Sequence, residues 1–170
     1  KHEGLSIVYT GTFEHYQGVD VLIRSFVHIS KINPDIQLIL VGGKPEQIKA
    51  NRALVSEMGM DGSIHFTGIV SLQDANAYIH LADILVSPRI EGTSVPLKIY
   101  TYLYAGKPIL ATNIPAHSLV LSPDHACLVE PTVDGLAAGL IRMIEDADLR
   151  AGLSKGSKNL AEEKYGLKSY

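Results

Sequence analysis

One loop of this sequence gathers the side chains that anion chemistry needs. Arg89-Ile90-Glu91-Gly92-Thr93-Ser94 combines a cation, a carboxylate, a glycine and two hydroxyls. It opens onto a helical segment that ends at Gly106-Lys107-Pro108. Pro96 is predicted as an early helical residue, where its missing N–H costs nothing. A helix starting there points unpaired backbone N–H groups at whatever fills the loop, and a diphosphate suits them best. Lys98 brings a cation to the same end. Each of these residues also has a plainer reading: Lys98 as a solvated lysine, Arg89 as a loop arginine paired with Glu91, Glu91 as a surface carboxylate, and Thr101 as a hydroxyl satisfying a helix carbonyl.

The elements that must position this loop alternate in type. Short β-rich runs are predicted at 6–10, 37–41, 63–67, 84–87, 109–112 and 126–129. Between them lie stretches of helical period. Val19, Leu22, Ile23, Phe26 and Val27 repeat on one face, and Pro34-Asp35 ends that helix. A second helix runs from Pro45 to Met58 and stops near Gly59. Ser71 with Asp74 predicts a cap for a third, through Leu81. The tail from Thr132 to Lys164 is helical, with a break at 146–148. Such alternation predicts an α/β fold: a Rossmann-like doubly wound parallel sheet in three α/β/α layers.

In such sheets ligands bind outside the carboxyl ends of the strands, where strand order reverses. Gly11 follows the first strand, Gly42 and Gly43 the second, Gly68 the third, and Gly92 lies just past the fourth. Any one is ordinary turn punctuation by itself. Together they predict a rim where backbone approaches a ligand closely.

Other chemistries fit poorly. The seven histidines include no His-x-x-x-His pair, and with a single cysteine no metal site is expected. Gly42-Gly43-Lys44 lacks the spacing and the Ser/Thr of a Walker A loop. Ser94, His117 and Asp124 form no nucleophile elbow and read as coincidence. A nicotinamide dehydrogenase would need G-x-G-x-x-G after the first strand, where this chain has Gly11-Thr12-Phe13-Glu14. The tyrosines at 100, 102 and 104 alternate, which on a helix spreads them over different faces, so they read as packing.

Composition sets the outer bounds. At 170 residues, 46% hydrophobic and 19% charged, the chain reads as one globular domain. A net charge of −3 without a Lys/Arg cluster argues against nucleic acid as a partner. Cys127 lies in an apolar run and reads as a buried strand thiol, compatible with a reducing cytosol. No apolar run approaches the roughly 18 residues of a membrane span. A start at Lys1 without methionine reads as a piece of something longer.

The order of these segments resembles a known family. Gly11-Thr12-Phe13, Gln17-Gly18-Val19-Asp20, Leu38 to Gly43, Phe66-Thr67-Gly68-Ile69-Val70, Ala82 to Val86, Glu91-Gly92 and Ala105 to Thr112 together look like the C-terminal domain of GT-B glycosyltransferases of family 4. The resemblance covers nearly the whole chain. It implies a domain, 1–170, that binds a nucleotide-sugar donor, with an N-terminal acceptor-binding domain outside this chain. It also implies glycosyl transfer with retention, no cofactor and no metal, a cytoplasmic location, and membrane association only through that other domain. By the same resemblance Ile69 and Val70 meet the base through their backbone, Thr93 to Val95, with Ser94 between, face the diphosphate, and Glu91 faces the sugar. Gly11, Gly42 and Gly92 would line the donor.

Three departures stand out. The family places basic residues after the first strand where this chain has Thr12 and Gln17; Arg89 and Lys98 are the nearest substitutes. The second of two glutamates, which contacts the ribose, falls on Thr101. Glu91 and Thr101 also stand further apart than the family's spacing, so Thr93 could take Glu91's place. A non-catalytic nucleotide-binding module or a GT-B nucleotide-sugar epimerase therefore stays open beside an active transferase.

Overall fold

The computed structural model describes residues 4–166. Six strands, β1 (Ser6–Thr10), β2 (Gln37–Val41), β3 (Ile64–Gly68), β4 (Ile84–Ser87), β5 (Ile109–Thr112) and β6 (Cys127–Val129), form one sheet in the order β3-β2-β1-β4-β5-β6. Every strand pair is parallel. The helices are α1 (Val19–Ile32), α2 (Pro45–Glu57), α3 (Leu72–Leu81), α4 (Leu97–Ala105), α5 (Pro115–Ser118), α6 (Val133–Glu145) and α7 (Ala147–Tyr165).

The strands read as continuous apolar runs because both faces are covered. Successive residues feed opposite cores. Ile7, Leu38, Leu40, Ile84 and Val86 pack with Leu22, Phe26 and Leu140 of α1 and α6. Val8, Val41, Leu85, Ile109 and Ala111 pack with Ile99, Tyr102 and Leu103 of α4 and Leu160 of α7. Burying one such side chain stabilises the fold by about 1.5–3 kcal/mol. This is the three-layer doubly wound architecture that the alternation predicts. Cys127 is buried in β6, and burial pushes its thiol pKa up.

Boundaries follow local chemistry. The Ser71 hydroxyl accepts from the Asp74 amide at the start of α3, and Asp146 accepts from the Leu149 amide at the break between α6 and α7. Gly59 sits at φ 72, as a glycine ending α2 requires. Pro96 is a correction: it is the residue before α4, extended at φ −65 and ψ 139, and the helix begins at Leu97. Its ring tolerates the first helical turn equally well, so sequence does not separate the two placements. Two short elements, α5 and a single turn at His15–Gln17, are too brief to show a period.

The strand order reverses between β1 and β4. Their register pairs Ile7 with Ile84 and Val8 with Leu85, and the strands then part. Beyond that point the Thr10 amide donates to the Tyr102 hydroxyl at 3.0 Å, and that hydroxyl donates to the Val86 carbonyl at 3.3 Å. Tyr102 of α4 therefore bridges the two strands where the crevice opens.

Candidate functional site

The carboxyl ends of β1, β2 and β3 border a cleft of about 350 Å³. Gly11, Thr12, Gly42, Gly43, Ile69 and Val70 line it, as do Lys44 and Gln47, which sequence reasoning did not place at the site. The signal for Lys44 was visible in Gly42-Gly43-Lys44, set aside because no Walker loop was present. Gly42 is at φ 120, and a Cβ there would lie 2.0 Å from the Gly11 carbonyl oxygen. Only glycine permits the two strand ends to approach so closely. Ile69 is 77% exposed at the rim.

Lys98 comes from the other side of the switch point. Its Nζ lies 4.0 Å from the centroid of the Tyr9 ring and 3.4 Å from Gln17 Oε1. It also packs against Gly11, where an added Cβ would meet Nζ at 2.6 Å. The first turn of α4 thus delivers a cation to the loop after β1, beside the positions that Thr12 and Gln17 leave uncharged. Tyr9 braces the arrangement: its hydroxyl donates to the Thr12 carbonyl. Burial first, and the nearby Arg89 second, lower the Lys98 pKa from 10.5 to about 7.

Arg89 is not held by the Glu91 carboxylate. Its Nε donates to the Glu91 carbonyl oxygen at 2.8 Å, and its guanidinium stacks 4.9 Å from the Tyr16 ring centroid. Gly92, at φ 136, lies under that guanidinium. Glu91, Thr93 and Ser94 are exposed, and Val95 packs on the α4 side of the sheet. Pro96 provides no capping side chain, so the first amides of α4 stay uncapped. Thr101 is exposed one turn after Lys98, and its hydroxyl donates to the Leu97 carbonyl of its own helix at 3.5 Å. The structure brings Gly11, Gln17 and Lys98 together, and Arg89, Glu91 and Gly92 together, while the Thr101 hydroxyl turns back to its own helix.

His117 has no part in a triad. Its ring nitrogens meet Ser87 Oγ and the Thr112 carbonyl oxygen, not Ser94 or Asp124. Among the described residues no three His, Cys, Asp or Glu side chains gather as a metal group, and His2 lies outside those residues. No helix among them is long and apolar enough to cross a membrane.

A doubly wound parallel sheet with a glycine-lined cleft and two cations at its switch point defines a Rossmann-like domain, and its match is to the C-terminal halves of GT-B glycosyltransferases. The chain belongs to the glycosyl transferases of group 1, whose family profile matches residues 4–146. It is 27% identical over 154 residues to a phosphatidyl-myo-inositol mannosyltransferase of Mycolicibacterium smegmatis, covering 88% of this chain and 39% of the relative. The chain thus spans about two fifths of the length of that curated relative. In fold it is similar to the C-terminal domain of the Francisella tularensis group 1 glycosyl transferase LpcC, with a TM-score of 0.85 and 21% identity over 97% of this chain and 88% of that one. It is also similar to Anabaena HepE in complex with UDP, with a TM-score of 0.84 and 18% identity over 96% of this chain and 45% of that one.

Proposed function

We propose that this chain is the donor-binding half of a retaining glycosyltransferase that takes a sugar, of hexose type, from a nucleoside diphosphate sugar. One observation carries the reading. Lys98 and Arg89 converge where β1 and β4 part, the Arg89 guanidinium disfavours the charge of Lys98, and their hydrogen-bond acceptors are the neutral Gln17 Oε1 and the Glu91 carbonyl. A diphosphate placed between them would relieve that repulsion. Similarity to a UDP complex supports a nucleotide donor.

In this reading the base enters the cleft along Ile69, Val70 and Gly42, and the diphosphate meets Gly11, Lys98, Arg89 and the first amides of α4. Glu91 and Thr93 face the sugar. As the glycosidic bond breaks, the departing diphosphate gains negative charge, and fixed cations and amides stabilise that charge more in the transition state than in the ground state. No metal is needed because Lys98 and Arg89 supply the positive charge. Retention, the separate acceptor-binding domain of the same polypeptide, the inactivity of this half alone and a cytoplasmic site of action are proposed on the family resemblance.

The test is a calorimetric titration of the chain with UDP, GDP and ADP, repeated on a Glu91→Ala, Lys98→Ala double variant. Saturable binding of one diphosphate, lost in the variant, is expected. Equal binding by native chain and variant would remove these two residues from the donor site.

A further inference from the structure

His117 is a fully buried imidazole for which the donor-site reading provides no task. It lies in α5, between the carboxyl ends of β4 and β5. Its Nδ1 is 2.7 Å from the Thr112 carbonyl oxygen and 3.1 Å from Thr112 Oγ1, and its Nε2 is 2.8 Å from Ser87 Oγ. A carbonyl oxygen only accepts, so Nδ1 carries the proton and Nε2 accepts from the Ser87 hydroxyl. Both nitrogens are thereby engaged, leaving none for a donor or acceptor molecule.

What the imidazole holds is the loop that carries Arg89. Ser87 is the root of that loop, at the end of β4. In its middle, the Arg89 carbonyl oxygen accepts from the Thr112 hydroxyl. Toward its far end, the Gly92 carbonyl oxygen accepts from the Ala116 amide, next to His117, at 3.1 Å. Three points of one loop are therefore fixed through the imidazole and its immediate neighbours. A hydrophobic side chain in the same space would leave the Ser87 hydroxyl and the Thr112 carbonyl without this partner in a buried setting.

We infer that His117 is a positioning residue: a neutral, single-tautomer imidazole that ties β4, β5 and α5 together so that Arg89 is presented to the diphosphate. This inference rests on the donor-site reading. Burial lowers the His117 pKa to about 4, and Lys98 and Arg89 add to the lowering, against the Thr112 carbonyl, which favours the imidazolium. The ring therefore keeps its neutral form across the working range of pH.

The experiment compares UDP and GDP with uridine and guanosine on the native chain, His117→Gln and Thr112→Val. The valine is nearly isosteric and keeps the Thr112 carbonyl that His117 donates to, while it deletes the hydroxyl with its links to the Arg89 carbonyl and to His117 Nδ1, so it carries the test if His117→Gln does not fold. Folded variants should lose about tenfold in diphosphate affinity, on the scale of one hydrogen bond, while nucleoside affinity stays within about twofold. Nitrogen-detected NMR of the native chain should show the Nδ1–H tautomer from pH 7 down to 5. Parallel loss of nucleoside and diphosphate, unchanged diphosphate affinity, or an Nε2–H tautomer would overturn the inference alone. Failure of the native chain to bind any nucleoside diphosphate would instead overturn the donor-site reading, and this inference with it.

Discussion

Diphosphate affinity should depend on pH through one half-buried lysine, Lys98. With its pKa lowered to about 7, Lys98 is about half charged at pH 7 and about one part in a hundred charged at pH 9. A phosphate oxygen against the ammonium forms a charge-assisted hydrogen bond worth about 1.5–3 kcal/mol, or about tenfold to 150-fold in affinity. If binding requires the charged form, native affinity should fall by up to about fiftyfold from pH 7 to pH 9 and level off at the affinity of Lys98→Met. The terminal phosphate titrates near 6, so its charge changes little over this window, and ADP, whose base carries no ionising N–H there, serves as the control ligand. Binding at pH 8 should also take up a proton, which appears in calorimetry as a heat that changes with the ionisation enthalpy of the buffer. The methionine variant should show a flat curve and no proton uptake. A flat native curve, or an equal slope in Lys98→Met, would refute the assignment of Lys98 to the phosphate.

Other substitutions test the surroundings. Arg89→Ala should weaken diphosphate binding and move the native midpoint to higher pH, because the guanidinium helps lower the Lys98 pKa; the same titrations read both. Without ligand, Lys98 releases its proton near pH 7 in the folded chain but near 10.5 when unfolded, so the unfolded state holds more protons between these values. Its contribution should therefore raise folding stability with pH across that window, and urea unfolding of native chain against Lys98→Met should show the difference. Tyr102→Phe leaves the Thr10 amide without its acceptor and should cost about 1–3 kcal/mol by urea denaturation. Gly42→Ala, with its Cβ against the Gly11 carbonyl, should cost about 2 kcal/mol or more, whereas Gly62→Ala, whose Cβ meets nothing, should stay within about 0.5 kcal/mol.

Most of the sheet was legible because strands buried on both faces leave uninterrupted apolar runs between polar turns. The four inner strands, β1, β2, β4 and β5, have the expected ends, while the edge strands β3 and β6 start at Ile64 and Cys127, each one residue later than expected. Edge strands pair on one side only, and their ends are weakly specified by pattern. The glycine rim was legible for a related reason: Gly11, Gly42 and Gly92 all take positive φ, which other residues rarely adopt. The partners that individual side chains choose were not legible. That Lys98 would reach Gln17, or that Arg89 would choose the Glu91 carbonyl over its carboxylate, depends on how α4 and the loop before it settle on the sheet. His117 carried no local signal, because a histidine after Pro115 reads alike whether it faces solvent or two strand ends.

The Tyr102 bridge has a consequence for how this crevice receives a molecule. A phenol fastened to both β1 and β4 sets the width of the mouth during folding, and its pKa, raised to about 12 chiefly by burial, keeps the fastening intact at any pH the protein meets. A guest therefore finds the gap already at its final width. Little of its binding energy then goes into prising the sheet apart.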